Sequence, residues 1–365
     1  MESHAASRSL PRRAYVADDV FSREMESLLL HSWQYAGHES QLPGPGAFLA
    51  HEFADESLLL TRDDDGELHA LFNVCRHRGS RVCDAVSGAT RRFVCPYHQW
   101  VYELDGRLAG APLMPPEFRR DEHGLRHARI ECWEGLLFVN VWGKDAPSVA
   151  SLLADRAPAV RQFELPSSKI ARTVLYDIAA NWKLVLENFL ECYHCSVSHR
   201  EFCRVIDLKG LVRSHGHEAR LREGMRSLTI DGEFVSSKLL GAYGRGEPPL
   251  DYTQTDWGGF RLSPLASGAC FPDYAIVFAF QPVAPLRTRV RCDWLVAAHA
   301  EAGRDYNPDE LIALWDVTNQ QDWILCERNQ RGVLSRAYEP GPHSPVAEAQ
   351  LDAFLEHYAS TLGVG

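Results

Sequence analysis

Between about residues 45 and 142 the apolar positions come in short alternating or continuous runs, separated by Gly, Asp and Pro. ESLLLTRDDDGELHALFNV, QWVYELDGRL and GLLFVNVWG have the length and spacing of strands, and DDDG and ELDGRL are hairpin-turn signals. Together they predict a small antiparallel β module. Around it the period lengthens. SREMESLLLHSW, residues 22–33, has helical spacing. A Pro- and Ala-containing connector covers 145–168, followed by a strand at 172–180 and a helix, NWKLVLENFL. DYAIVFAFQPV and TRVRCDWLVAAH read as further strands. NPDELIALWDVTNQQDWILCERNQRG then reads as a long helix, with Asn307 at the N-cap, Pro308 at the first helical position and Gly332 past the end. A last helix is expected at about 345–361. The pattern is a β module followed by an α+β domain.

The length of 365 residues exceeds what one hydrophobic core usually serves, which fits two domains. Apolar residues make up 45% and charged residues 24% of the chain, as in ordinary globular proteins. The net charge of −11 removes the basic footprint that phosphate backbones and anionic membranes require, so neither is an expected partner. The longest apolar runs, YAIVFAF and GLLFVNVW, fall far short of a bilayer-crossing helix. The opening residues hold no apolar signal core, and the 10 cysteines lack the compact spacing of a disulfide framework. Reduced thiols in a cytoplasmic protein are the expectation.

Some of those thiols sit where metal would want them. CRHRG supplies Cys75 and His77, CPYHQW supplies Cys95 and His98, and seventeen residues separate the two halves. Zinc can be held by two Cys and two His, but zinc fingers usually pair Cys with Cys and His with His along the chain. A mixed C-x-H and C-x-x-H arrangement is what a Rieske [2Fe–2S] centre needs, with two thiolates on one iron and two imidazoles on the other. Arg76, Arg78 and Trp100 flank the ligands, either tuning a cluster or simply packing.

A second cluster, ECYHCSVSH at 191–199, follows the predicted helix directly. Glu191 and His194 are spaced for one helix face, whereas His199, five residues further on, would point about 140° away on a continuing helix. The helix is therefore expected to end near Ser196–Ser198. Cys192 and Cys195 form a C-x-x-C pair outside any βαβ context and are read as packing residues.

With these motifs the chain resembles the large (alpha) subunit of Rieske-type non-haem iron oxygenases over nearly its whole length. The family's acid-x-x-His-x4-His motif corresponds to Glu191, His194 and His199. CPYHQW with Gln99, ENFLECYHC and LCERNQRG are most similar to the branch that oxidises glycine betaine, stachydrine, carnitine or choline. The resemblance implies an α+β fold: an N-terminal all-β Rieske domain at 39–145, then a helix-grip (START-like) catalytic domain with an antiparallel sheet at 146–365, to which the N-terminal helix within 1–38 belongs. It also implies a mononuclear iron held by His194, His199 and a downstream carboxylate. Among Asp316, Asp322 and Glu327 it selects Asp322, which shares a less charged helix stripe with Trp315, Asn319 and Cys326.

In the family an acid like Glu191 lies between a Rieske His of one subunit and a mononuclear-site His of the next, which implies a homotrimer. Asn188, on the same helix three residues before Glu191, is expected near the iron. The resemblance further implies that electrons come from NAD(P)H through a separate flavin and iron–sulfur reductase, that O2 is the co-substrate, and that hydroxylation of an N-methyl group gives a carbinolamine that releases formaldehyde. A quaternary ammonium has no proton to donate, so aromatic faces must recognise it; Trp257, Phe260, Tyr274 and Phe278 are the candidates, though each can equally be strand core. An aromatic-ring hydroxylase or O-demethylase of the same family remains an alternative, as does a Rieske electron carrier.

Overall fold

The structure is a computed structural model that describes residues 8–205, 258–262, 264–271 and 274–362. The chain divides into two compact units, one formed by Trp33–Val149 and the other by the residues on both sides of it.

The first unit is all β. Seven strands form one antiparallel sheet in the order Gln34–His38, Leu136–Asn140, His127–Trp133, Leu68–Phe72, Glu56–Arg62, Ala47–Phe53 and Ser87–Ala89. Gln34–His38 pairs with Leu136–Asn140, which is why this unit begins earlier than the expected boundary at 39. A second sheet of three short strands comprises Phe93–Val94, Val101–Tyr102 and Leu108–Gly110. The DDDG turn forms around Asp63, whose carboxylate accepts the N–H groups of Asp65 and Glu67 at 3.0 and 2.8 Å. Phe48, Leu59, Leu71, Phe93, Trp100 and Tyr102 make the core, and Cys75 and Cys95 are part of it.

The second unit is built on a five-stranded antiparallel sheet in the order Ser168–Ile178, Arg287–Ala297, Ala275–Ala284, Ala266–Cys270 and Gly258–Leu262. On the edge, Phe260 pairs with Gly268, where a Cβ would come 2.2 Å from the Phe260 ring; only glycine lets the ring lie there. The long helix Pro308–Val333 starts as its sequence directs, with the Asn307 side chain accepting the Asp309 N–H. It runs through Gly332 instead of stopping before it, and ends at Leu334. The closing helix is Ala349–Leu362.

The helix expected at 22–33 is Asp18–Ser27 followed by a 3-10 turn, Leu29–His31. From it the fully buried Glu24 reaches three donors: Lys183 Nζ at 2.5 Å, Trp182 Nε1 at 2.8 Å and the Tyr358 hydroxyl. Burial pulls the Lys183 pKa down and Glu24 opposes it. Glu24 thus ties the helix Asp18–Ser27 to Trp182–Phe189 through Lys183 and Trp182, and to the last helix through Tyr358. No helix among the described residues is long and apolar enough to cross a membrane.

Candidate functional site

Each unit gathers one set of metal-binding side chains. In the β unit two loops carry them, and the loops are built alike. Cys75 N–H donates to Ser80 O and Gly79 N–H returns to Cys75 O, at 2.8 and 3.0 Å. Cys95 N–H donates to Trp100 O and Gln99 N–H returns to Cys95 O, again at 2.8 and 3.0 Å. The fifth residue of each loop must turn left-handed. Gly79 has φ +76° and Gln99, the non-glycine counterpart, has φ +59°. Both thiols are buried, at 3% and 1% exposure, while His77 and His98 are exposed with ring centroids 4.5 Å apart.

Burial, with the neighbouring Cys95 thiol adding to it, pushes the Cys75 thiol up. The Tyr102 hydroxyl lies 3.2 Å from Cys75 Sγ and accepts the Arg76 N–H at 2.9 Å. The Trp100 ring stacks on His77 with centroids 4.9 Å apart and 9° between planes. Two inward thiols and two outward imidazoles on matching loops fit a cluster whose irons take different ligands.

In the other unit Asn181 caps the helix Trp182–Phe189 by accepting the Lys183 N–H. This helix ends earlier than expected. Glu191 and His194 therefore do not share a helix face. After Leu190 the Glu191 carboxylate accepts the N–H groups of Tyr193 and His194, and this local capping replaces the next helical turn. Cys192 and Cys195 are joined as a disulfide across the turn, not left as packing thiols. A short helix, Cys195–Ser198, then delivers His199.

The turn brings His194 and His199 to a carboxylate of the long helix. His194 Nε2 lies 3.1 Å from His199 Nε2, and Asp322 Oδ1 lies 3.0 and 2.9 Å from the two nitrogens. Donors about 2.1 Å from one ion sit about 3.0 Å apart when cis in an octahedron, and about 3.4 Å apart in a tetrahedron. The triangle thus has the dimensions of one octahedral face, leaving three further positions. The outer ring nitrogens are engaged as metal-binding imidazoles require. His194 Nδ1 bonds the Glu191 carboxylate, and His199 Nδ1 lies 2.8 Å from Gln321 Oε1, so both Nε2 lone pairs face the centre.

Burial opposes a charge on His194, but the carboxylates of Asp322 and Glu191, which accept hydrogen bonds from its ring, outweigh it and push its pKa up to about 9. Asn188 Nδ2 is 3.5 Å from His194 Nε2, and its buried Oδ1 has no partner among the described residues. Cys195 Sγ is 3.9 Å from His194 Nε2, but its bond to Cys192 leaves no thiolate there. The other two carboxylates on the long helix are turned elsewhere: Asp316 accepts from Tyr176 at 2.6 Å and Glu327 from the Ala179 N–H at 3.1 Å.

A cavity of about 430 Å³ opens onto the triangle. From His199 an unbroken series of rings forms one wall: Phe202 at 6.3 Å, then Trp315 at 5.7 Å, Phe278 at 5.9 Å and Phe189 at 4.9 Å between successive centroids. Of the four aromatic candidates, Phe260 and Phe278 line the cavity. Tyr274 does not; it is buried behind Trp315, whose Nε1 donates to its hydroxyl at 2.9 Å. Trp257 lies outside the described residues. Phe189, Phe202 and Trp315 were missed as wall residues. Trp315 had a signal, since it shares the Asp322 stripe; Gln321 and Tyr102 had none.

Two family models cover this architecture. The Rieske [2Fe-2S] domain matches residues 32–134 and the ring hydroxylating alpha subunit catalytic domain matches 167–363. The chain belongs to the alpha-subunit family of Rieske-type ring-hydroxylating oxygenases. It is an oxidoreductase, with the Rieske cluster and mononuclear iron of that family.

Among its relatives is the glycine betaine monooxygenase oxygenase subunit of Chromohalobacter salexigens, 34% identical, with 97% of this chain and 86% of the relative aligned. The carnitine monooxygenase oxygenase subunit of Acinetobacter baumannii is 30% identical over 96% of this chain and 91% of its own. Among solved structures, the quaternary ammonium Rieske monooxygenase CntA in complex with L-carnitine superposes with a TM-score of 0.77 at 23% identity, covering 98% of this chain and 96% of that one. Naphthalene 1,2-dioxygenase from Rhodococcus shares the fold at a TM-score of 0.73 and 21% identity, over 97% and 94% of the chains.

Proposed function

We propose that this chain is the terminal oxygenase of a system that hydroxylates, and so N-demethylates, a quaternary ammonium substrate such as glycine betaine or stachydrine. The observation that carries the reading is the aromatic wall beginning at the donor triangle. Four edge-on or tilted rings line the cavity and suit a cation that can make no hydrogen bond. The names of the relatives, glycine betaine and carnitine monooxygenase oxygenase subunits, support the same substrate class.

In this reading Cys75, Cys95, His77 and His98 hold the [2Fe–2S] cluster, and His194, His199 and Asp322 hold the mononuclear iron. When bound, these centres supply stored electrons and the activation of dioxygen. The remaining work falls to the chain. Glu191 and Gln321 keep a proton on the Nδ1 atoms of His194 and His199. Asn188 offers its amide beside the triangle, and its oxygen, without a partner among the described residues, can take substrate or a bound water. Phe202, Trp315 and Phe278 keep the N-methyl groups against the triangle and shed water from it. The hydroxyl of the carbinolamine gives its proton to water as the C–N bond breaks, so the methyl carbon leaves as formaldehyde and the nitrogen keeps the electron pair as a tertiary amine.

A flavin and iron–sulfur reductase, fed by NAD(P)H, is the proposed electron donor. In a homotrimer Glu191 would lie between the His194 of its own subunit and a Rieske His of the neighbour. The test is an NADH-coupled assay with a purified reductase on betaines, carnitine, choline and benzoates, together with sedimentation to establish the trimer. Formaldehyde from a betaine is expected. Ring hydroxylation or O-demethylation of benzoates, with no betaine consumed, would overturn the reading in favour of an aromatic-ring oxygenase.

A further inference from the structure

The cavity wall includes a guanidinium that the aromatic rings do not account for. Arg261 projects from the edge strand Gly258–Leu262, opposite Ser267, and lines the same cavity as His194, His199 and Asp322. Its Nη1 donates to the Gln350 side-chain oxygen at 2.5 Å. Gln350 is uncharged and begins the last helix. Among the described residues the charged neighbour that acts on Arg261 is Arg156, of like sign; burial first, then Arg156, draws its pKa down to about 10. The side chain is exposed where it lines the cavity. Arg156, by contrast, is engaged by Asp155 at 3.2 Å.

We infer that Arg261, held by Gln350, anchors the carboxylate of a zwitterionic substrate whose trimethylammonium or dimethylammonium end rests on the aromatic wall. This rests on the reading of the cavity as a quaternary ammonium site and narrows it. A guanidinium on a cavity wall, with no carboxylate partner among the described residues, offers a strong two-pronged donor to a carboxylate. The wall suits the opposite end of the same molecule. Betaines carry both groups, whereas choline has a hydroxyl in place of the carboxylate. Arg261 is thus a specificity-determining residue that favours betaines over choline.

The test is calorimetric binding to the full, iron-loaded protein, native and with Arg261→Gln and Arg261→Lys. The probes are glycine betaine, choline, and 3,3-dimethylbutanoate, the uncharged-carbon isostere of glycine betaine. Loss of one charge-assisted contact should weaken glycine betaine and 3,3-dimethylbutanoate roughly 10- to 100-fold in Arg261→Gln, and less in Arg261→Lys. Choline should stay within about threefold, and it serves as the check that the cavity has kept its shape. Equal losses for choline and glycine betaine, or no loss for glycine betaine, would overturn the anchor. If the native protein binds 3,3-dimethylbutanoate but neither ammonium ligand, and Arg261→Gln weakens that binding, the anchor stands while the quaternary ammonium reading falls.

Discussion

Removing a residue that never touches the metal should loosen it. Gln321 accepts from His199 Nδ1 at 2.8 Å, and its own amide nitrogen donates to Glu201 Oε2 at 3.2 Å, which fixes which end of the amide faces the ring. His199 is 1% exposed, so water cannot take over when the acceptor is lost. In Gln321→Met the imidazole then either keeps an orphaned Nδ1–H, which costs about 1–3 kcal/mol, or moves the proton to the nitrogen facing the ion. Loss of such an outer partner typically weakens a metal site about 10- to 100-fold, equal to about 1.4–2.7 kcal/mol, so the two routes agree in size. Gln321→Glu keeps an acceptor and should stay within a few-fold of native. The assay is anaerobic Fe(II) titration of protein from which the mononuclear iron has been removed, with the Rieske absorbance as internal reference. An iron affinity for Gln321→Met within twofold of native, with the Rieske spectrum intact, would refute the reasoning.

Other consequences can be measured on the protein as a whole. Lys183→Met should cost about 3–5 kcal/mol, read from urea unfolding by tryptophan fluorescence, because it leaves the Glu24 carboxylate buried without a cation. Burial, against the Tyr15 hydrogen bond and Lys183, pushes Glu187 up to about 8 from 4.5. The folded chain then holds a proton that the unfolded chain releases, so this contribution is intact below about pH 4.5 and is lost as pH rises toward 8, by no more than about 5 kcal/mol. Glu187→Gln should flatten that decline, and unfolding midpoints from pH 5 to 9 check it. At the left-handed position of the second cysteine loop, Gln99→Gly should leave stability within about 0.5 kcal/mol, since relief of strain is offset by backbone entropy. Gln99→Val should cost about 1–2 kcal/mol, seen as earlier thermal loss of the Rieske absorbance.

The features that could be read from the chain are those set by short-range spacing. The two loops around Cys75 and Cys95 announce themselves because each needs a Cys, a His and a left-handed turn within six residues. The long helix shows its inner stripe because Trp315, Asn319, Asp322 and Cys326 recur at helical period, and they are buried or face the cavity. What failed depends on side chains overriding local pattern. The periodicity of NWKLVLENFLECYHC gives no sign that Glu191 will cap the chain beyond Leu190, nor that Cys192 and Cys195 will bond. Tyr274 has the composition of a cage residue, yet tertiary packing sets it behind Trp315. Gln321 and Arg261 gain their meaning only when distant segments, at His199 and Gln350, arrive beside them.

Glu24 also has consequences for the order of events at the ribosome. Its cation is 159 residues later in the chain and its last donor, Tyr358, is 334 residues later. At roughly 5–20 residues per second the carboxylate waits about 8–32 s for Lys183 and about 17–67 s for Tyr358. During that interval the β unit, encoded entirely between the two halves of its neighbour, can complete its own core. The nascent chain thus passes through a stage with one finished module and one that cannot close until Tyr358 has been made.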